Sequence, residues 1–118
     1  MNSEDFSEKR VVVFGRGSID FLRVTEIVRV RHIGRNAHFY CSDGREFRTA
    51  KRLKVLADEL EELAEIFVRV SKTEFVNFKH IRSIKGSELY LWSGEVCAIS
   101  RGRHKHVISA CIEKYCNG

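Results

Sequence analysis

Seven consecutive residues, Ser100-Arg101-Gly102-Arg103-His104-Lys105-His106, carry three fixed positive charges and two imidazoles without a single acid. Side chains of this kind neutralise phosphates and release condensed counterions, so the chemistry they support is salt-sensitive binding of a polyanion. Lys72, Lys79, His80, Arg82 and Lys85 add to the same half of the chain. Residues 1–68 hold 12 Lys/Arg against 12 Asp/Glu, whereas residues 69–118 hold 9 against 4, which is the whole net charge of +5. A pI of 9.2 is weak evidence alone. Clustering at turns matters more, because side chains on a rigid sheet can reach into a groove.

Other chemistry has little support. Gly15-x-Gly17 lacks the later glycine of a dinucleotide loop, and no Gly-Lys-Ser/Thr cradle occurs, so it reads as a turn between two strands. His32, His38, His80, His104 and His106 have no acid or nucleophile at a motif spacing. Cys41, Cys97, Cys111 and Cys116 include no Cys-x-x-Cys pair, which fits apolar filling in a reducing compartment. Joining His104, His106, Cys111 and Cys116 into a zinc site would need an uncommon spacing, and a helix there would point the four apart. The expectation is no enzyme, no metal and no cofactor.

The elements that must position the basic residues are mostly strands. A chain of 118 residues suits one domain, expected over residues 11–118 after a polar tail at 1–10. The longest apolar run, Val11-Val12-Val13-Phe14, is far too short to span a membrane, and no signal peptide is evident. A cytoplasmic location is therefore expected. There is no proline, and glycines separate short runs rich in Val, Ile, Phe and Tyr. Two hairpins are predicted, His38–Cys41 with Arg45–Arg48 around Asp43-Gly44, and Glu88–Trp92 with Glu95–Ile99 around Ser93-Gly94. Ile19–Arg23 and Glu26–His32 also alternate, with Val24 at the bend.

Two helices interrupt this pattern. Leu53, Leu56, Leu60 and Leu63 mark the first, with Thr49 expected as its N-cap. Its basic residues, Lys51, Arg52 and Lys54, gather at the start and its acids, Asp58 to Glu65, toward the end, which opposes the helix dipole. A second helix is predicted over Arg103–Tyr115, burying Val107, Ile108, Cys111, Ile112 and Tyr115.

The run Phe67-Val68-Arg69-Val70-Ser71-Lys72-Thr73-Glu74-Phe75-Val76-Asn77-Phe78-Lys79-His80-Ile81 resembles the central signature of LytTR-type DNA-binding domains. Leu53-Lys54-x-Leu56 is similar to the helix before that signature, Leu89-x-Leu91-x-Ser93-Gly94 to the hairpin after it, and Ile99-Ser100-Arg101 to the family's closing Ser-Arg. Upstream, Ile27–Arg31 followed by Gly34-Arg35-Asn36 resembles the early strand and loop. The likeness spans roughly residues 19 to 112, and an ordered set of motifs is more specific than any one of them.

The resemblance implies a mainly β fold of about ten strands with one or two short peripheral helices. It implies sequence-specific binding of double-stranded DNA by a free-standing bacterial transcriptional regulator, with loops rather than a recognition helix entering successive major grooves. The base-contacting loops map onto Asn36, Lys72 and Arg101, and Arg35, Lys79, Arg103 and Lys105 would hold the DNA backbone. Direct-repeat half-sites and a weak homodimer on DNA are further implications. Ser71 stands where the family usually has histidine, and Glu74 where it prefers an aromatic. Glu74 is expected to face away from the DNA or to pair with Lys72. Two other classes stay open: a basic β-module that stacks RNA on Tyr40, Tyr90 or Trp92, and a protein-interaction module that modulates a related regulator.

Overall fold

The short alternating runs fold as strands, and the glycines between them as turns. The computed structural model describes residues 9–116, which contain β1 (Arg10–Gly15), β2 (Ser18–Arg23), β3 (Ile27–Ile33), β4 (Asn36–Cys41), β5 (Glu46–Ala50), α1 (Leu53–Glu61), β6 (Phe67–Ser71), β7 (Glu74–Asn77), β8 (Ile81–Lys85), β9 (Glu88–Leu91), β10 (Val96–Ala98) and α2 (His104–Cys116). Single 3-10 turns cover Val24–Glu26, Phe78–His80 and Arg101–Arg103. The mainly β expectation is met, and both predicted hairpins form. Gly44 and Gly94 take φ of 91° and 98° at their turns, a region that only glycine enters without strain. Arg10, assigned to the polar tail, begins β1 instead; the rest of that tail, residues 1–8, lies outside the described residues.

All pairings are antiparallel. The central sheet runs β5-β4-β3-β7-β6, with β1-β2 and β10-β9-β8 as separate smaller sheets. Alternation along the central strands divides the core between its two faces. On one face Ile27, Val30, Ala37, Phe39, Phe67 and Phe75 meet Val13, Leu22 and Val24 of the β1–β2 unit and Leu56, Ala57 and Leu60 of α1. On the other, Val28, Val68, Val70 and Val76 meet Leu89, Leu91, Cys97, Ile99 and Val107 of the β8–β10 and α2 layer. Each fully buried aliphatic or aromatic side chain here contributes about 1.5 to 3 kcal/mol of transfer free energy. A register shift between Ile27 and Arg29 keeps both Ile27 and Val30 on the first face despite their odd spacing.

Asn77 joins these layers. It is 2% exposed. Its Nδ2 donates to the carbonyls of Val24 and Ile27 at 3.2 and 2.9 Å, and its Oδ1 accepts from the Lys79 amide at 2.9 Å. One amide group thereby satisfies three backbone groups where β7 ends and β3 begins.

Two expectations need correction. Arg52, not Thr49, stands at the N-cap of α1, and no side chain caps that helix. Thr49 is held within β5 by pairing with Ala37, and its hydroxyl donates to the Phe14 carbonyl at 2.8 Å. In α2 only Val107 is buried; Ile108 and Cys111 are half-buried, while Ile112 and Tyr115 are exposed. The stripe exists at helical spacing, but only its first half meets the core, through buried Val107 and half-buried Ala110 and Cys111.

Replacing Asn77 by Ala removes a hydrogen bond from each of two carbonyls and one amide at a buried site, leaving the Val24 carbonyl only the Ile27 amide, and urea denaturation should show a loss of about 3 kcal/mol. Burial, with the Glu74 carboxylate beside it, pushes the Cys97 thiol up to about 11. At about pH 8 a thiol reagent should therefore label exposed Cys116 rapidly and Cys97 only as fast as the protein opens.

Candidate nucleic-acid interface

The backbone brings separated basic segments to one end of the central sheet. The β3–β4 turn at Gly34-Arg35 lies beside the β6–β7 turn, because the His32 amide donates to the Thr73 carbonyl at 2.8 Å. Ser100 N donates to Val70 O at 2.9 Å, which fixes the Arg101–Arg103 turn against the end of β6. His104 Nε2 donates to the Gly86 carbonyl at 2.7 Å and draws the β8–β9 turn to the same place. The β1–β2 tip arrives there through the bond from Thr49 to Phe14.

Lys72 and Arg101 therefore sit on turns, and Asn36 at the start of β4, at a common end. Lys72 and Arg101 are exposed, and Asn36 is half-buried. The Lys72 turn is braced from behind: Arg69 donates to the Lys72 carbonyl from Nε at 3.2 Å and from Nη2 at 2.6 Å. Arg35 is exposed beside Asn36, and Lys105 is exposed in the first turn of α2. Arg103 is half-buried and lines a cleft with Glu61, Arg69 and His106, behind the turn rather than at its tip. Lys79 is not brought to this end. The four residues of β7 separate it from the Lys72 turn, and it lies in the Phe78–His80 turn at the opposite edge.

Glu74 follows Thr73 immediately, so its direction decides the charge presented at the β6–β7 turn. Its carboxylate points inward, 3.2 Å from Arg29 Nη1 and 3.9 Å from Arg31 Nε. Arg29 also donates to Cys97 Sγ at 3.2 Å and stacks over the Tyr40 ring at 5.1 Å. The expectation that Glu74 faces away from this end holds; its partners are Arg29 and Arg31 rather than Lys72. The smaller Ser71 closes its own turn, its Oγ accepting from the Thr73 amide at 3.4 Å.

Sequence reasoning missed Arg16 and Arg48. They line a pocket with Asn36, Phe14, Gly15, Thr49 and Ala50, and no acid lines it. The signal was present in Gly15-Arg16-Gly17, a basic residue at a hairpin tip, but nothing along the chain showed that this tip meets Asn36. Charge of the other sign collects at the far end. Glu26 lies beside the Ser42-Asp43-Gly44 turn, Glu65 follows α1, and Glu95 follows Gly94. Hydrogen bonds from the Arg45 amide and guanidinium hold the Asp43 carboxyl below its usual range. His80, read as basic from sequence, is pushed below its usual value by burial, so it contributes less positive charge than its type suggests.

The aromatics proposed for base stacking are differently placed. Tyr40 lies in the central sheet with Arg29 over its face, whereas Tyr90 and Trp92 belong to the β9 segment, under Lys85 at 5.4 Å and Arg82 at 5.7 Å. Among the described residues no group of three or more His, Cys, Asp or Glu is placed to hold a metal ion.

Comparison with known proteins identifies the family and the fold. The LytTr DNA-binding domain model matches residues 17–111. A solved structure from Bacillus cereus, the LytTr DNA-binding domain of a protein described as a methyl-accepting/DNA response regulator, superposes with a TM-score of 0.71 at 14% identity. The superposition covers 87% of this chain and 96% of that one, which establishes a shared fold. No curated protein sequence matches the chain. Most of the chain is thus accounted for by one model and one fold, with the basic turns gathered at one end, and the chain belongs to the LytTr DNA-binding domain family.

Proposed function

We propose that this chain regulates bacterial transcription by reading a specific duplex sequence, laying the turn end of its central sheet across successive major grooves. The observation that carries this reading is the meeting of Asn36, Lys72 and Arg101 at one sheet end, with the adjacent Glu74 turned inward. Arg101 has the geometry to donate two parallel hydrogen bonds to guanine O6 and N7, and Asn36 can pair with adenine N6 and N7. Lys72 donates to guanine or holds a phosphate. Arg35 and Lys105 are the backbone contacts, joined by Arg16 and Arg48 beside Asn36. Arg103 supports its turn from behind. Lys79 is left out of this reading, because it lies beyond the opposite end of β7 from the Lys72 turn.

Each copy takes one half-site, and half-sites in direct repeat are the arrangement the family resemblance implies. The protein works in the cytoplasm, where such DNA is found. Selection of bound duplexes from a random pool tests the reading as a whole. The account expects an enriched motif with guanine at a fixed position, and a pool that stays random would contradict it.

Four substitutions separate the roles. Arg101→Ala should lower discrimination between the selected duplex and unrelated DNA by about 1 to 3 kcal/mol. Lys105→Ala should weaken all duplexes alike and reduce the slope of log affinity against log salt by about one. Arg16→Ala should behave as Lys105→Ala does, whereas Lys79→Ala should leave both affinity and slope unchanged; fluorescence anisotropy over a salt series reads all four effects.

A further inference from the structure

The arginines of this chain divide by whether their guanidiniums are engaged. Arg23, Arg29, Arg31, Arg45 and Arg69 face carboxylates, and Arg82 lies over the Trp92 ring. Arg10 donates to the Lys9 carbonyl at 3.3 Å. The guanidiniums of Arg16, Arg35, Arg48, Arg52, Arg101 and Arg103 have no partner among the described residues. An arginine stays charged and presents its donors as a fixed fork, so a group of them left open in one region marks a surface for an external acceptor. All of these belong to the turn end of the sheet, and Arg52 is the one without a role there.

Arg52 borders a cleft of about 690 Å³ between the β3–β4 turn and the start of α1. Arg35, Lys51 and His32 also line it, and no acid does. Ala50 lines this cleft and also the pocket that holds Arg16, Arg48 and Asn36. The two therefore join as one cationic trough across the end of β5, passing Asn36, which pairs with Ala50. Backbone acceptors fix its walls. His32 Nε2 donates to the Lys51 carbonyl at 2.7 Å, and the Lys51 amide donates to the Arg35 carbonyl at 3.1 Å. Lys51 is itself paired with Glu59 at 2.7 Å, which leaves Arg35 and Arg52, both exposed, as the open charges of this cleft.

The helix gains nothing from Arg52. It stands at the N-cap of α1 with an extended backbone, φ −68° and ψ 147°, and no side chain caps the helix. Ser, Thr, Asp or Asn at that position would accept a hydrogen bond from the first-turn amides. A cation there also opposes the helix dipole. A residue that breaks a local rule in this way, at the edge of a cationic trough, is explained by what it binds.

We propose that one strand of the duplex lies along this trough and that Arg52 holds one of its phosphodiesters. Arg16 and Arg48 grip the strand on one side of Asn36, and Arg35 and Arg52 on the other. The inference rests on the duplex reading and extends each half-site contact by one phosphate at the start of α1.

Substitution at Arg52 separates binding from folding, because the two should move in opposite directions. Arg52→Ser removes the charge and supplies a cap. Its thermal midpoint should rise by about 4 °C. On the selected duplex, its slope of log affinity against log salt should fall by about one. Arg52→Lys keeps the charge and adds no cap, so it should keep both the slope and the midpoint of the wild type. Lys54, 85% exposed and paired with Asp58 at 3.3 Å, is the control, and Lys54→Ala should leave the slope unchanged. An unchanged slope in Arg52→Ser overturns the proposal, and the duplex reading stands if Lys105→Ala still lowers it. If neither variant lowers the slope, the duplex reading fails as well. A midpoint that falls in Arg52→Ser overturns the conflict at the helix start, and with it the assignment of Arg52.

Discussion

The ion pair between Arg29 and Glu74 is the constraint on which both the fold and the interface depend. Antiparallel pairing sets Arg31 opposite Glu74 and Arg29 opposite Val76, so both guanidiniums project on the Glu74 side of the sheet. The Arg29 and Glu74 side chains are only 15% and 12% exposed. A pair so placed is held less by its net energy than by the cost of leaving either charge alone. That cost keeps the carboxylate of Glu74 directed inward, two residues from Lys72. Reversed, it would set a negative charge beside Lys72 at the turn proposed to approach DNA. Cys97 closes the arrangement by accepting from Arg29 and donating to Glu74 at 3.4 Å, which ties β10 to β3 and β7.

The same separation of charge explains an oddity of α1. Lys51, Arg52 and Lys54 crowd its start and five acids follow, the reverse of what the helix dipole favours. Because β5 ends at the interface and β6 starts at the far edge, α1 must run from one to the other. Its basic start then lies beside Arg35, with the Lys51 amide donating to the Arg35 carbonyl at 3.1 Å. Its acidic end is carried away from any bound polyanion. Lys51 and Lys54 offset part of the local penalty by pairing with Glu59 at 2.7 Å and Asp58 at 3.3 Å. Local helix electrostatics yields here to the polarity of the whole molecule.

What could be read along the chain follows the range of the forces involved. Asp43-Gly44 and Ser93-Gly94 specify their hairpins within a few residues, so both were legible. The leucine stripe of α1 was legible for the same reason, whereas its cap was not: Thr49 is a good capping residue, but pairing with Ala37 holds it in a strand. In α2 the apolar spacing was evident, yet periodicity shows only that a stripe exists and not what covers it. Ile112 and Tyr115 were placed in the core on that pattern. The interface divides similarly. Arg101, Lys72 and Asn36 are singled out by motifs, but the place of Arg16 beside Asn36 depends on a contact between β1 and β5 far apart in sequence. Lys79, close to Lys72 along the chain, is carried to the other edge by four extended residues.

Amide chemical-shift mapping of the chain with its selected duplex tests the central claim most directly, because it reports every turn in one experiment. The account predicts the largest changes at residues 15–18, 34–36, 71–73 and 100–105, with the Asp43-Gly44 and Ser93-Gly94 turns unmoved. Changes centred on those two turns, or on Lys79 and Trp92, would contradict it.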